Sequence, residues 1–450
     1  MKIVIIGAGE VGTYLSAILS EQGHDIVVVE SSQTIADQID EAYNVRVIQG
    51  NGSSAEILAK ADVGSCDFLL AMTNDDRSNI IAASLSKAMG ARTTIARYHD
   101  QTYTDTSFVN YQLHFGIDHL INPEGLCAVE LAKTVRHPGR VAVENFARGE
   151  VEVQQVEVQK GSRLVHKKLK ELKYPEARVG YIQRGEDTQV PTAETQIEVG
   201  DVVTLFGAPE QLFQLRRKCE ADKKAKQIKI VLLGGSETSI ALIRLLTNPR
   251  FKIRLIEKDP QKCRDLATKF PNITVIQGDG TSLRLMEEEQ ISNADYFLAC
   301  TKDDESNIVT GLQASKLGVP HVGVVINKTD YDTVMDSLKS AIGVELIVSP
   351  RVVTANDVLR YLSREPMVEL SPLPQGSGSI YELVVKTGSP AAGKRIREIS
   401  WPSHCVAVAI QHKYQAKVAT AEEIILPGDR LLIITPPENL GNLTKLLSHS

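Results

Sequence analysis

The stretch Met1-Lys-Ile-Val-Ile-Ile-Gly7-Ala8-Gly9-Glu10-Val11-Gly12, running on to Val27-Val28-Val29-Glu30, decides the fold. An apolar run, Ile3 to Ile6, ends in Gly-x-Gly-x-x-Gly and opens a helical stretch, and an acid closes the next apolar run. In that setting the pattern is a dinucleotide fingerprint rather than a chance set of glycines. Each part has a physical task. Gly7 permits the tight strand-to-helix turn, Gly9 lets a pyrophosphate approach the backbone, and Gly12 lets the helix pack close to the strand. The first N–H groups of the helix, around Glu10 and Val11, face the phosphates. Glu30, with Ser31 beside it, is expected to accept hydrogen bonds from the ribose hydroxyls and to repel a 2′-phosphate, which favours NAD(H) or another adenosine nucleotide over NADP(H).

Outward from that stretch, strand and helix patterns alternate through Val45–Ile48, Phe68–Met72, Thr93–Ala96 and Ile117–Ile121. Alternation of this kind implies a doubly wound parallel sheet with helices on both faces. Asn122-Pro123-Glu124 reads as an N-cap, a first-turn proline and a first-turn acid that open a helix toward Arg136. After His137-Pro138-Gly139 the texture changes to strand alternation in Val151–Val158, punctuated by Gly161, Pro175, Gly185 and Gly200, and a helix closes the segment from Ala208 to Cys219. The polar run Glu220–Gln227 reads as a solvated linker, and Pro372–Ser379 as a flexible joint.

The whole pattern then returns. Gly234 lies 227 positions after Gly7, and Glu257 lies 227 after Glu30. Gln49-Gly50-Asn51-Gly52-Ser53 recurs as Gln277-Gly278-Asp279-Gly280-Thr281, and Thr73-Asn74-Asp75-Asp76-Arg77-Ser78-Asn79 as Thr301-Lys302-Asp303-Asp304-Glu305-Ser306-Asn307, both at offset 228. Gly161-Ser162 and Gly200-Asp201 find partners in Gly388-Ser389 and Gly428-Asp429. A two-domain module is therefore duplicated. The expected organisation is a Rossmann-like α/β domain over 1–137, a small α+β domain over 138–220, a linker over 221–227, a second Rossmann-like domain over 228–366 and a second small domain over 367–450.

Composition narrows the function classes. A formal charge of −6 gives no electrostatic footprint for nucleic acid, so a redox-sensing DNA-binding protein is disfavoured. The 6 cysteines form no CxxC pair, and neither a zinc site nor a disulfide framework is indicated. No apolar stretch approaches the roughly 20 residues needed to span a bilayer.

Three further loops lie at the carboxyl edge where a nucleotide sits. Asn51, Gly52 and Ser53 follow the third strand, where an adenine contact and a plain turn coexist. Thr73 and Asn74 are candidates for a second ribose or a phosphate, while Asp75 reads equally as a helix N-cap. Arg97 ends the fifth strand, and its guanidinium either pairs with phosphate oxygens or forms an ion pair with a nearby carboxylate. In the second copy Ser236 and Ser239 replace Gly9 and Gly12, and Val325 replaces Arg97. A second, weaker site is expected at Gly234, Ser236, Glu257, Asp279, Gly280 and Thr301, or a purely structural relic.

These motifs carry a resemblance. The fingerprint, Glu30, the Gly50-Asn51-Gly52-Ser53 and Thr73-Asn74-Asp75-Asp76 loops, Ala96-Arg97 and the duplicated small domains make the chain similar, over almost its full length, to the tandem RCK (regulator of potassium conductance, KTN/RCK) family of TrkA-type regulatory subunits. The resemblance implies a non-enzymatic cytoplasmic regulator of bacterial Trk and Ktr-type potassium uptake. It also implies NAD(H) as ligand with ATP and ADP as competitors, a homotetrameric gating ring, and peripheral attachment to the membrane through a TrkH/TrkG/KtrB-like transporter. The alternative from the fingerprint alone is an NAD-dependent dehydrogenase. That alternative requires a substrate domain with a positioned acid or base, and a duplicated strand-rich domain beside a degenerate second cofactor site fits it poorly.

Overall fold

The computed structural model describes residues 1–104, 107–136, 144–146, 151–185, 187–219, 227–328, 331, 343–362, 367–372, 378–412 and 415–448. His137-Pro138-Gly139, most of the linker from Glu220 and the centre of the Pro372–Ser379 joint lie outside the described residues.

The first sheet comprises β1 (Lys2–Ile6), β2 (Asp25–Glu30), β3 (Arg46–Gln49), β4 (Phe68–Ala71), β5 (Thr93–Arg97) and β6 (His119–Ile121). Its order is β3-β2-β1-β4-β5-β6, and every pairing is parallel. This is the doubly wound order, with a reversal between β1 and β4 that opens a crevice at the carboxyl ends of the strands. Ile3, Val4, Ile5, Val27 and Val28 are buried on both faces, which is why these strands read as unbroken apolar runs.

The chain next forms a five-stranded antiparallel sheet from β7 (Glu144–Phe146), β8 (Val151–Glu157), β9 (Ala177–Arg184), β10 (Asp187–Gln189) and β11 (Val202–Gly207), in the order β10-β9-β11-β8-β7. The second parallel sheet follows, from β12 (Ile228–Leu233), β13 (Phe251–Glu257), β14 (Thr274–Gln277), β15 (Tyr296–Ala299), β16 (His321–Val325) and β17 (Leu346–Val348). Its order, β14-β13-β12-β15-β16-β17, repeats that of the first. The last sheet, β18 (Met367–Pro372), β19 (Ser379–Val384), β20 (Val406–His412), β21 (Gln415–Val418) and β22 (Arg430–Thr435), runs β18-β19-β22-β20-β21. The fold class is thus α/β with two Rossmann-like domains, each followed by a small α+β domain.

Contacts group the chain into two compact units, one built from residues 1–132 and 227–363, the other from 133–226 and 364–450. Like therefore packs with like. In the first unit the last helix of the second Rossmann copy, Pro350–Leu362, lies against the first copy. Its Ala355, Val358 and Leu362 share a core with Ile3, Ile5, Leu15, Leu19, Ile26 and Val28. The ring of Tyr361 stacks on His119 with centroids 3.9 Å apart, and the Arg351 guanidinium sits 5.2 Å above the Tyr14 ring. Conversely, helix Pro123–Arg136 of the first copy sends Leu131 to β16, where its Cδ2 would lie 3.6 Å from a Cβ placed on Gly323.

In the second unit the two antiparallel sheets bury one shared layer, with Val151, Val153, Tyr181 and Phe206 against Ile380, Val408, Leu432 and Ile434. Helices Pro209–Cys219 and Leu440–Leu447 close the two remaining faces. The hydroxyl of Tyr181 donates across the layer to the carbonyls of His404 and Ile434.

Candidate functional site

The turn after β1 is built as its glycines require. Gly7 adopts φ +91°, in the left-handed region that side chains avoid, and a Cβ there would lie 2.7 Å from Thr73 Cγ2. A Cβ on Gly12 would lie 1.9 Å from the carbonyl oxygen of Gly7, so this position sets the approach of helix to strand. Gly9 is different: a Cβ there meets nothing within 4 Å. Gly9 is the N-cap of helix Glu10–Glu21, and no side chain caps that helix. The helix that carries the N–H groups of Glu10 and Val11 thus starts without a side-chain cap and with open space beside Gly9, the arrangement that draws anions.

Glu30 is 8 % exposed and tied to the loop it faces. Its Oε2 accepts from the Ala8 N–H at 2.7 Å, and Oε1 from the Ser32 N–H at 2.8 Å and the Ser31 hydroxyl at 3.1 Å. Burial acts to raise its pKa, but the Ser32 and Ala8 N–H groups and the Ser31 hydroxyl prevail and hold the carboxyl below its ordinary range. The N–H of Ala8 is therefore already committed within the protein. Each Glu30 oxygen keeps a second lone-pair direction for a ribose hydroxyl.

The other loops show a similar division of labour. Asn51 Oδ1 accepts from Ser53 N–H at 2.9 Å, and a Cβ on Gly52 would strike Ile6 Cγ2 at 2.0 Å. Asp75 caps helix Asp76–Met89, accepting from Ser78 N–H at 2.9 Å. Thr73 is held by Asn79, a fully buried side chain that receives the Thr73 N–H at 2.9 Å and hydroxyl at 2.7 Å and donates to the carbonyls of Thr73 and Arg97, both at 2.9 Å. Asp76 accepts the N–H groups of His99 and Asp100. Sequence reasoning left Asn79 and Asp76 without a role, although both lie in the longest stretch of the repeat.

Arg97 has a side chain only 11 % exposed. Its Nη1 donates to Asn74 Oδ1 at 3.2 Å, and Nη2 stands 3.7 Å from Glu124 Oε1. Burial lowers its pKa, with Glu124 and Asp76 opposing. Its Nε is buried without a hydrogen-bond partner. Together with Asn74, Asp75 and Glu124 it lines a cavity of about 1140 Å³ whose far wall is Ser236, Thr301 and Lys302 of the second Rossmann copy. The guanidinium is thus a buried ion-pair member at the seam of the two copies, rather than a free cation over its own fingerprint.

The second copy reproduces the same scaffold. Glu257 accepts the Gly235 N–H at 2.7 Å and the Asp259 N–H at 2.9 Å, matching the two backbone contacts of Glu30. Asn307 holds Thr301 and Val325 as Asn79 holds Thr73 and Arg97. Asp279 accepts the N–H and hydroxyl of Thr281 at 3.0 and 2.8 Å. Gly234, Ser236, Glu257, Asp279, Gly280 and Thr301 all line one cavity of about 430 Å³. Two differences matter. Ser236 caps its own helix, its hydroxyl accepting from Ser239 N–H at 3.3 Å, so the anion-binding start is partly occupied by the protein. Three lysines, Lys258, Lys262 and Lys302, join the lining.

The described residues contain no group of three or more His, Cys, Asp or Glu suited to a metal ion, and no helix among them is long and apolar enough to cross a membrane. All 6 cysteines are free, and 5 of them are buried.

The TrkA-N domain model matches residues 3–123 and 230–350, and the TrkA-C domain model matches 153–220 and 380–448. Similar curated proteins include the Trk system potassium uptake protein TrkA homolog 2 of Methanosarcina mazei, 28 % identical over 99 % of this chain and 100 % of the relative. Another is the Trk system potassium uptake protein TrkA of Haemophilus influenzae, 28 % identical over 100 % of this chain and 99 % of the relative. A second M. mazei homolog is 30 % identical over 89 % of this chain and 99 % of its own length. Among solved structures, the GsuK RCK domain is similar with TM-score 0.58 at 19 % identity, covering 100 % of this chain and 95 % of that one. The GsuK channel bound to NAD gives TM-score 0.59 at 19 % identity, covering 100 % and 79 %. At that identity the likeness concerns the fold.

Proposed function

We propose, from the premise that this chain belongs to the family of tandem TrkA-N and TrkA-C domain proteins, that it is a nucleotide-binding regulatory subunit that gates a potassium transporter. The observation that carries the reading is the uncapped helix start at Gly9, facing open space above a Glu30 already anchored in position. Such a site binds a pyrophosphate through backbone N–H groups and a ribose through one carboxylate. It offers NAD(H) a dock and ATP or ADP a competing one. The named relatives are potassium uptake proteins, and one structural neighbour was solved with NAD bound. The candidate residues are Gly7 to Gly12, Glu30, Ser31, Asn51 to Ser53 and Thr73 to Asp75. Arg97 acts from the seam.

In this reading the protein catalyses no reaction of its own. It works in the cytoplasm as a homo-oligomeric ring, a tetramer, held to the membrane by a TrkH/TrkG/KtrB-like partner. A ligand shifts a closed-to-open equilibrium only by its differential affinity for the two states, about 1.4 kcal/mol for each factor of ten. The packing of the two Rossmann copies into one unit supplies the element whose geometry a bound nucleotide biases.

Potassium flux through vesicles holding the protein and a Trk-type membrane partner tests this. NADH, NAD, ATP and ADP are each expected to change flux with wild type, and Gly9→Asp to remove the response to NAD(H). Flux indifferent to every nucleotide, with steady turnover of an oxidisable substrate instead, would overturn the proposal.

A further inference from the structure

The two fingerprint clefts differ most in side-chain charge. The cavity of the second copy contains Lys258, directly after β13, Lys262, in the first turn of helix Pro260–Lys269, and Lys302, just beyond β15. All three are exposed and converge on one cavity of about 430 Å³. At the offsets of the repeat their counterparts in the first copy are Ser31, Ile35 and Asn74, none of which carries charge. The second cavity also holds three carboxylates, Glu257, Asp279 and Asp303, where the first copy has two, Glu30 and Asp75, with Asn51 in place of Asp279. The second cleft is therefore neutral in sum and the first carries two negative charges.

The helix start differs in the opposite sense. Gly9 leaves the first copy uncapped, whereas the Ser236 hydroxyl occupies a donor of the second. A backbone N–H cradle suits a pyrophosphate of low charge. Flexible ammonium groups act as point counter-charges for phosphate.

Resting on the reading that both clefts take adenine nucleotides, we propose that the second cleft selects a nucleotide with more phosphate charge than NAD(H), with Lys258, Lys262 and Lys302 as its counter-ions. Two chemistries share that property, an adenosine polyphosphate and a 2′-phosphorylated dinucleotide. Lys258 and Lys262 lie at the ribose edge beside Glu257 and suit a 2′-phosphate. Lys302 lies beside Thr301 and suits a longer 5′-polyphosphate.

The test is calorimetric titration of the full chain carrying Gly9→Asp, which blocks the first cleft, with ATP, ADP, NADP and NAD. ATP or NADP is expected to bind at least about tenfold more tightly than NAD, a preference that shrinks toward about 0.3 M salt as the exposed charges are screened. The combined Lys258→Gln, Lys262→Gln and Lys302→Gln variant is expected to erase that preference. It should leave NADH affinity at the first cleft, read in a Ser236→Asp chain, within about twofold, since that cleft has Ser31, Ile35 and Asn74 at the matching positions. Selective loss from Lys302→Gln identifies the polyphosphate, and selective loss from Lys258→Gln with Lys262→Gln identifies the 2′-phosphate. Equal affinity for NAD and the more highly charged nucleotides, no change in the triple variant, or no binding to the Gly9→Asp chain overturns the inference. If wild type still binds NADH and its flux response persists, only the charge selectivity fails. If wild type binds no nucleotide and flux is indifferent, the regulatory reading fails with it.

Discussion

Set side by side, the helix starts at Gly9 and at Ser236 show how a duplicated fold diverges while its frame is kept. In both copies a glutamate at the end of the second strand clips the glycine turn at 2.7 Å. In both, a buried asparagine staples the fourth strand to the fifth. The surfaces that meet a ligand differ: an open helix start in one, a self-capped start ringed by lysines in the other. The frame is what the fold needs, and the freedom to vary lies at the cleft.

The largest expected effect concerns the shared part. Asn79→Leu and Asn307→Leu each remove a side chain that makes four hydrogen bonds in a buried setting. Each should cost roughly 3 kcal/mol or more in chemical denaturation, because buried partners are left unsatisfied. A large loss in one copy and none in the other would break the equivalence of the two frames.

Next comes the packing of helix on strand. Gly12→Ser imports the residue found at Ser239, yet its Cβ would meet Gly7 O at 1.9 Å. A loss of about 1–3 kcal/mol is expected from such overpacking. The reverse change, Ser239→Gly, should fall below that, and equal costs would mean that the two helices approach their strands alike. Smaller still is Ser236→Gly, which removes the cap at a cost of only a few tenths of a kcal/mol. Uncapping should strengthen NADH binding at the second cleft severalfold in calorimetry, and weaker binding would contradict the competition between hydroxyl and phosphate.

The smallest effects are in pH dependence, where two acids act with opposite sign. Glu30 is held below its ordinary range against the pull of burial by the N–H groups of Ser32 and Ala8. Its contribution is complete above the unfolded carboxylate pKa and is lost as pH falls through the lower folded value. Asp429 in the second small domain is pushed upward by burial, only partly countered by the Leu426 N–H and by His412, whose Nδ1 lies 2.6 Å away. Its contribution is complete below the unfolded pKa and is lost as pH rises through the higher folded value. The first small domain has Arg184 at the matching place, 2.8 Å from Asp201. His412→Arg should therefore remove the fall in melting temperature with rising pH that Asp429 contributes in the acid range, leaving the opposite rise from Glu30 steeper, and an unchanged profile would exclude Asp429 as a contributor.

Much of this was legible in the residues. The period of apolar runs announced two doubly wound sheets, and Asp75 and Asn122 cap the helices they precede, with Gly125 N–H donating to Asn122 Oδ1 at 2.5 Å. The helix exchange between copies was not legible, because the apolar face of Pro350–Leu362 says that it must be buried but not beneath which sheet. The bond from the Ala8 N–H to Glu30 was not legible either, because only the closed turn creates it. Of the two roles open to Arg97 at the end of its strand, the ion pair with a carboxylate has its partner in Glu124 on the following helix, which the sequence does not single out. The three lysines are spread over residues 258 to 302 and converge only because β13 and β15 end at the same sheet edge.

The asymmetry of the two clefts is tested most directly by NADH titration of wild type, Gly9→Asp and Ser236→Asp in the full chain. A Cβ at Gly9 meets nothing within 4 Å, so the aspartate enters the cleft without disturbing the fold. Gly9→Asp is predicted to weaken NADH binding at least about tenfold, the cost of a carboxylate beside a pyrophosphate, while Ser236→Asp changes it by less than about twofold. Equal losses from the two substitutions would contradict the account.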